Sequence, residues 1–320
     1  MSVEHVHHKK LTLIAGNANY PLAEAIAKHL ATKLSATVVK RFSDGEVRVQ
    51  VDESIRGHDV FIIQPTCSPV NENLVELLVI IDAVRRASAH RIVAVIPYYG
   101  YARQDKKVQP REAISARLVA NLIETAGADR MISMDLHSGA LQGFFNIPVD
   151  HLSALKILSR AIEMQGFTAE DSVIISPDVG GVERASEVAT RLGFPLAIIA
   201  KRRPEPNVAE IVEVIGDIEG RNCILYDDMV DTAGSVTVGA KLLMERGAKS
   251  VSVYATHGVL SGEALKRIGA SPIERLVITD TIPLDDAHKH EKIKVASTAA
   301  TFAEAIKRCF TDESISSLFR

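Results

Sequence analysis

Apolar residues follow two alternating rhythms along this chain. Short runs rich in valine and isoleucine predict strands at 11–16, 59–65, 91–99 and 130–136. Between them, apolar residues recur at helical spacing, predicting helices at 22–34, 71–89 and 115–126. Leu74, Leu77, Leu78 and Ile81 mark out one such helical face. The second half repeats the scheme, with strand-like runs at 173–176, 196–200, 223–227, 251–256 and 276–279. Strands alternating with amphipathic helices predict an α/β fold whose mostly parallel sheets are covered by helices on both faces. Residues 42–51 depart from this. There Glu46-Val-Arg-Val-Gln-Val alternates polar and apolar, as in a half-exposed antiparallel strand, and predicts a small projecting hairpin, a flag.

The halves also share a register. Gly127-Ala128 precedes a strand and then His137, and Gly247-Ala248 precedes a strand and then His257, each 120 positions later. That suggests one α/β unit duplicated. The length of 320 residues suits two domains, expected at 1–150 and 151–320. Pro148-Val-Asp-His151 leads into a new helical stretch at that boundary.

Composition narrows the field. With 37 basic and 40 acidic residues the net charge is −3, which argues against a nucleic-acid binder. Absence of tryptophan and 5% aromatic content argue against stacking platforms for single strands. No apolar run is long enough to span a bilayer. The start, MSVEHVHHKK, holds no apolar signal core, and Cys67, Cys223 and Cys309 form no CxxC pair. Together these point to a cytoplasmic protein, with the histidines at 5, 7 and 8 read as a solvated cluster.

The densest chemistry lies in Cys223-Ile-Leu-Tyr-Asp-Asp-Met-Val-Asp-Thr-Ala-Gly-Ser235. An apolar strand is read as ending at Asp227-Asp228, followed by a loop through Asp231, Thr232, Ala233, Gly234 and Ser235 and a helix from about Val236. Small residues ahead of a helix let backbone N–H groups approach a phosphate. Carboxylates repel phosphate, so the aspartates suit sugar hydroxyls or a metal. A phosphate at one end and a polyol at the other describe a sugar phosphate.

That segment resembles the phosphoribosyl-diphosphate loop of type I phosphoribosyltransferases. Phe42-Ser-Asp-Gly-Glu-Val47, Tyr98-Tyr-Gly-Tyr-Ala-Arg-Gln-Asp105, Asp135-Leu-His137, Gln142-Gly-Phe-Phe145, Ser176-Pro-Asp-Val-Gly-Gly181 and Lys201-Arg-Arg-Pro204 also stand in order along the chain. Together they resemble the ribose-phosphate pyrophosphokinase (PRPP synthetase) family. The resemblance implies two tandem phosphoribosyltransferase-like domains, with the last helix packing back on the first. It implies diphosphoryl transfer from ATP to ribose 5-phosphate, with Mg²⁺ as cofactor and inorganic phosphate as activator. No GxxxxGK[ST] occurs, so ATP must be held without a P-loop.

By that resemblance, Arg103, Gln104 and Asp105 bind ATP. Phe42, Asp44, Gly45 and Glu46 reach its base from a neighbouring subunit. The rings of Tyr98, Tyr99 and Tyr101 are expected at the mouth of that site. Lys201 and Arg203 carry catalysis, and Arg203 with Asp227, Asp228, Asp231, Thr232, Ala233, Gly234 and Ser235 binds ribose 5-phosphate. His137 and Asp178 would be metal ligands, with Asp135 nearby and Asp150 an outlying acid. From residue type alone His137 is a poor Mg²⁺ ligand, because that hard ion prefers oxygen. A homohexamer is implied, with ADP as allosteric inhibitor competing with phosphate at Ser54, Arg56, Gln142, Ser314 and Ser316. Asn146 stands where some relatives carry Asp, and His257 is read as structural or interfacial. The alternatives are a glycosidic phosphoribosyltransferase, which need not contain the second half or Arg103-Gln104, and a non-catalytic regulatory relative, expected to lose the loop cations or carry insertions.

Overall fold

The computed structural model describes residues 9–202 and 211–318. The chain forms two compact units. One runs to Ser153 and takes in the chain again from Ala299, and the other is Ala154–Thr298.

In the first unit the elements are β1 (Leu11–Ala15), α1 (Tyr20–His29), β2 (Thr37–Arg41), β3 (Val47–Val51), β4 (Asp59–Ile63) and α2 (Val70–Arg86). β5 (Arg91–Ile96), α3 (Ser115–Ala126), β6 (Arg130–Met134) and β7 (Val149–Leu152) follow. Five strands form one all-parallel sheet in the order β1-β4-β5-β6-β7. Its strands are buried on both faces, as the unbroken apolar runs require; β4 is buried at every residue. Leu77, Ile80, Ile81 and Val84 of α2 fill the core beside Val60, Ile62 and Ile96. Among the described residues β2 and β3 pair only with each other, antiparallel, and form the expected flag. Val39, Val49 and Val51 turn inward onto the core, while Lys40, Arg48 and Gln50 stay exposed.

The second unit contains α4 (Leu155–Glu163), β8 (Ser172–Ser176), α5 (Val182–Leu192), β9 (Leu196–Arg202), β10 (Ile211–Ile215), β11 (Asn222–Val230) and α6 (Gly234–Glu245). β12 (Ser250–Gly258), α7 (Ala264–Gly269), β13 (Ile273–Thr279) and β14 (Ile293–Ala296) complete it. Its sheet runs β10-β9-β8-β11-β12-β13-β14, parallel except for β10. The last helix, α8 (Ala299–Thr311), belongs with the first unit and packs on α1. Arg91 holds its end, donating to Asp59 at 2.6 Å and to the Cys309 carbonyl at 2.8 Å.

Three local outcomes differ from the sequence reading. The helix expected at 22–34 begins earlier, where Asn19 accepts from Leu22 N–H, and ends at His29. Leu34 instead bridges to Leu13 beside β1. The strand expected at 91–99 stops at Ile96, because Pro97 has no N–H for the ladder. Tyr98 and Tyr99 are not a lid. Both are buried, and Tyr99 packs edge-on against Phe145 and donates to the Ala116 carbonyl.

Gly127 (φ 122°) closes α3 ahead of β6, and Gly247 (φ 88°) closes α6 ahead of β12, so the shared register has matching local geometry. The histidines after it diverge. His137 is exposed beyond β6, whereas His257 is buried within β12 and bonds to Thr281.

Gly100 opens the long loop to α3. Its N–H donates to Thr66 Oγ1 at 2.7 Å, and a Cβ there would lie 2.3 Å from the Thr66 carbonyl oxygen. Backbone cannot give way as a side chain can. Gly100→Ala is expected to destabilise the first unit by about 1–3 kcal/mol, read as a fall of several degrees in a thermal melt.

Candidate active site

In the second sheet the chain steps from β8 to β9 on one side, then crosses to place β11 on the other. Strand order therefore reverses between β8 and β11, and α/β sheets bind ligands beyond the carboxyl ends of strands at such a reversal. The first sheet has none, since its order β1-β4-β5-β6-β7 runs one way.

Two loops leave the carboxyl ends at this point. After β8, Asp178 Oδ1 accepts from Gly181 N–H at 2.8 Å, and Ser176 Oγ donates to the Asp178 carbonyl at 2.7 Å. A Cβ on Gly180 would lie 3.3 Å from that same carboxylate oxygen, so a glycine there suits the tight turn. β11 is longer than its sequence suggests. Pairing with β12 carries it past the aspartates to Val230, so Asp227 and Asp228 lie within the strand rather than at its end. Asp228 is buried and Asp227 half-buried.

Arg184 is the residue that sequence reasoning missed. From α5 its Nη1 reaches Asp227 at 3.3 Å and Asp228 at 3.2 Å. Nothing local signals it; only the packing of α5 beside β11 brings it to the acids. Burial, then the shared hydrogen bond and the like charge of Asp228, push the Asp227 carboxyl up to about 8, and Arg184 offsets only part of this. The pair therefore keeps a proton to higher pH than an ordinary carboxylate does, and in that form it can both donate to and accept from hydroxyl groups.

Beyond β11, Asp231 accepts from Ser261, and Ala233 takes a left-handed conformation (φ 58°) immediately before α6. Thr232 and Ser235 are exposed. Thr237 N–H donates to the Ala233 carbonyl at 3.1 Å. The amides of Gly234, Ser235 and Val236 precede that bond, and a helix start leaves such amides for an anion. A second unforeseen cation, Arg267 of α7, donates to the Thr232 carbonyl at 2.9 Å and steadies the loop.

In the first unit the flag turns through Phe42, Asp44, Gly45 and Glu46, all exposed. Phe42 N–H donates to the Glu46 carbonyl, Glu46 N–H donates to Asp44 Oδ1, and Gly45 takes φ 97°. Arg103, Gln104 and Asp105 lie in the loop between β5 and α3. Gln104 is tied to the start of α3, its carbonyl accepting from Ala116 N–H and its side chain from Ser115 Oγ at 2.6 Å. His137 is exposed beyond β6, and Asp135 is half-buried with φ 38°. Asp150 sits in β7, paired with Arg130 Nη1 at 2.8 Å. Asn146 is bound to Glu124 through its backbone and side-chain nitrogens.

Ser54, Arg56, Gln142, Ser314 and Ser316 are all exposed on the first unit. Ser314 Oγ donates to Ser316 Oγ at 3.0 Å, and Arg308 holds the Ser314 carbonyl. Gln142 is bonded to the Gly139 carbonyl. Among the described residues no hydrogen bond or ion pair links these serines to Ser54, Arg56 or Gln142. Lys201 lies on β9, its backbone paired with Val212 of β10. Arg203 and the N-terminal histidines lie outside the described residues.

Among the described residues, no three His, Cys, Asp or Glu side chains gather as a metal site. Mg²⁺ that arrives on a triphosphate takes most of its ligands from phosphate and water, and one or two protein groups suffice. The Asp178 carboxylate fits that demand, while the His137 imidazole is the weaker donor.

Residues 11–127 match the N-terminal domain of ribose phosphate pyrophosphokinase, and residues 201–320 match the phosphoribosyl synthetase-associated domain. A ribose-phosphate pyrophosphokinase of Clostridium tetani is 52% identical, over 98% of this chain and 99% of its own. One from Staphylococcus saprophyticus is 53% identical over 97% of each. The crystal structure of phosphoribosylpyrophosphate synthetase from Mycobacterium smegmatis superposes with a TM-score of 0.90 at 44% identity, covering 95% of this chain and all of that one.

The raised Asp227 carboxyl has a consequence for stability. Its folded-state pKa lies above its unfolded value, so the folded chain keeps a proton that the unfolded chain releases. Stability is therefore lost as pH rises from about 4 to about 8. Asp227→Asn, a neutral mimic, should flatten that slope in the ligand-free protein. Its gain in melting temperature should be largest at pH 8 and vanish near pH 4, as measured by circular dichroism.

Proposed function

This chain belongs to the ribose-phosphate pyrophosphokinase family, and we infer that it joins ATP and ribose 5-phosphate to give phosphoribosyl pyrophosphate and AMP. The observation that carries this reading is the acidic pair on β11 leading straight into the anion-ready start of α6. Hydroxyl groups of a sugar suit Asp227, Asp228 and Asp231, and its 5-phosphate suits the amides and hydroxyls of Thr232–Ser235. Arg184 keeps two adjacent carboxylates usable for this, since without a nearby cation their burial favours further protonation.

The ribose 1-hydroxyl attacks the β-phosphorus of ATP. A bond forms between the sugar oxygen and that phosphorus, the bond to the α,β-bridging oxygen breaks, and AMP leaves with that oxygen. The hydroxyl proton passes to water. No covalent enzyme intermediate is needed, and the protein's task is alignment and charge neutralisation. Lys201 and Arg203 are read as the cations that meet the charge developing on the transferred group. Arg103, Gln104 and Asp105 are read as ATP contacts, and Phe42, Asp44, Gly45 and Glu46 as the clamp on its base, reaching the neighbouring subunit's nucleotide. By the family resemblance His137 and Asp178 are read as Mg²⁺ ligands, with Asp135 a further candidate, and the ion when bound would shield the triphosphate charge.

The exposed set Ser54, Arg56, Gln142, Ser314 and Ser316 is read as the phosphate and ADP site of a hexameric, phosphate-activated enzyme. Exposed serine hydroxyls and the Arg56 guanidinium are groups that bind phosphate, which supports this reading. The described residues contain no helix long and apolar enough to cross a membrane, and the cytoplasm is the proposed compartment.

With Mg²⁺ and phosphate present, AMP and phosphoribosyl pyrophosphate should appear one for one by chromatography. Lys201→Ala should lower kcat by roughly 10²–10³-fold and leave the KM for ribose 5-phosphate within about threefold. Absence of AMP from the unmodified chain would turn the reading to a non-catalytic regulatory relative.

A further inference from the structure

Among the described residues the flag is a two-stranded sheet that pairs with no other strand, and such a ribbon is marginal alone. Its valines rest on the core, but apolar contact is non-directional and does not fix where the tip points. Its base is held to β1 by Ser35 N–H, which donates to the Leu13 carbonyl at 2.7 Å, and further along the strands directional restraints come from α2 and the loop after β1. On the surface, Arg41 at the end of β2 pairs with Glu72 at 2.7 Å. Exposed pairs of this kind contribute little.

The buried restraint is more specific. Glu76 of α2 is 1% exposed, and its partners are all neutral donors. Its Oε1 accepts from Asn17 N–H at 2.7 Å and from Gln64 Nε2 at 2.9 Å, and its Oε2 accepts from Asn17 Nδ2 at 2.9 Å. The same Asn17 amide nitrogen also donates to the Val39 carbonyl of β2 at 3.3 Å. Gln64 Oε1 in turn accepts from Ala18 N–H, and a Cβ on Gly16 would lie 2.2 Å from that oxygen. A chain of hydrogen bonds thus runs from the end of β4 through Glu76 and the loop after β1 to the backbone of the flag. A buried carboxylate is costly without full satisfaction, and here each bond that satisfies it also fixes that loop or the side chain behind it.

We propose that Glu76, acting through Asn17, is a positioning residue for nucleotide binding: it orients the Asn17 amide that holds the flag. This rests on the reading of the flag tip as the clamp on the ATP base. A carboxylate accepts on both oxygens, so Asn17 must present its nitrogen to Glu76 and to Val39 together. A glutamine at 76 would offer an NH₂ group to Asn17. Relief then requires the Asn17 amide to turn over, which withdraws the donor from the Val39 carbonyl.

Glu76→Gln and Asn17→Ala test this, the second safer for folding because Asn17 is exposed. Hydrogen exchange on the intact protein should quicken about tenfold across 37–51 and stay unchanged in β4 and β5. The KM for ATP should rise about 3–10-fold, with the KM for ribose 5-phosphate unchanged. Combined with Phe42→Ala, either variant should add less than its separate effect on the ATP KM. Unchanged exchange in the hairpin overturns the proposal. So does an unchanged ATP KM, provided Phe42→Ala by itself raises it. If Phe42→Ala leaves that KM unchanged, the reading of the flag as a base clamp fails, and exchange in 37–51 alone decides the positioning role.

Discussion

Asp227 and Asp228 are neighbours on β11, one half-buried and one buried, where water screens them less than at the surface. Two such carboxylates cannot both ionise freely, so the second unit has to supply charge or retain a proton. It does both. Arg184 is brought over from α5, and the Asp227 carboxyl is still pushed above the usual carboxylate range. The arrangement is possible because strand order reverses between β8 and β11, which opens the space beyond their carboxyl ends. The same reversal sets the Asp178 turn beside the acids and leads the chain into the start of α6. A site that costs stability when empty, and that offers acceptors, donors and helix amides to a ligand, is matched to a sugar phosphate.

The first unit solves a different problem with a different sheet. Its strands run in one order with no reversal, and its candidate ligand contacts stand on excursions from the sheet: the flag, the loop before α3 and the turn after β6. Excursions need restraint. Gly100 seats the long loop against Thr66, and Gln104 ties it to α3. Glu76 restrains the flag by a route that uses only neutral donors. The contrast between the units is instructive, because Gly127 and Gly247 close equivalent helices in both. A shared local register did not carry the binding geometry with it, as the exposed His137 and the buried His257 show.

Periodicity in the sequence revealed the strands and helices because both sheets are largely parallel and buried, so each strand is an apolar run. It failed where backbone chemistry overrides apolarity, as at Pro97, where an apolar run continues but the ladder cannot. The paired tyrosines beyond it read as a lid because aromatic residues near a basic loop suggest an opening; they are core. The acids and the small residues of 231–235 were legible because three aspartates in five positions have no structural need there. Arg184 and Glu76 were not legible. Each acts through a tertiary contact, 43 and 59 residues from its partner, and each looks in sequence like an ordinary charge on an amphipathic helix.

The central claim is that the sugar's 1-hydroxyl oxygen becomes the bridge to the transferred diphosphate. Ribose 5-phosphate equilibrated in ¹⁸O-water, with the reaction run in the same water, tests it through ³¹P NMR of the product. Attack at the β-phosphorus predicts an isotope shift on the diphosphate phosphorus bound to C1, with AMP unlabelled. An unlabelled bridge would mean that the C1–O bond had broken, and would contradict the account.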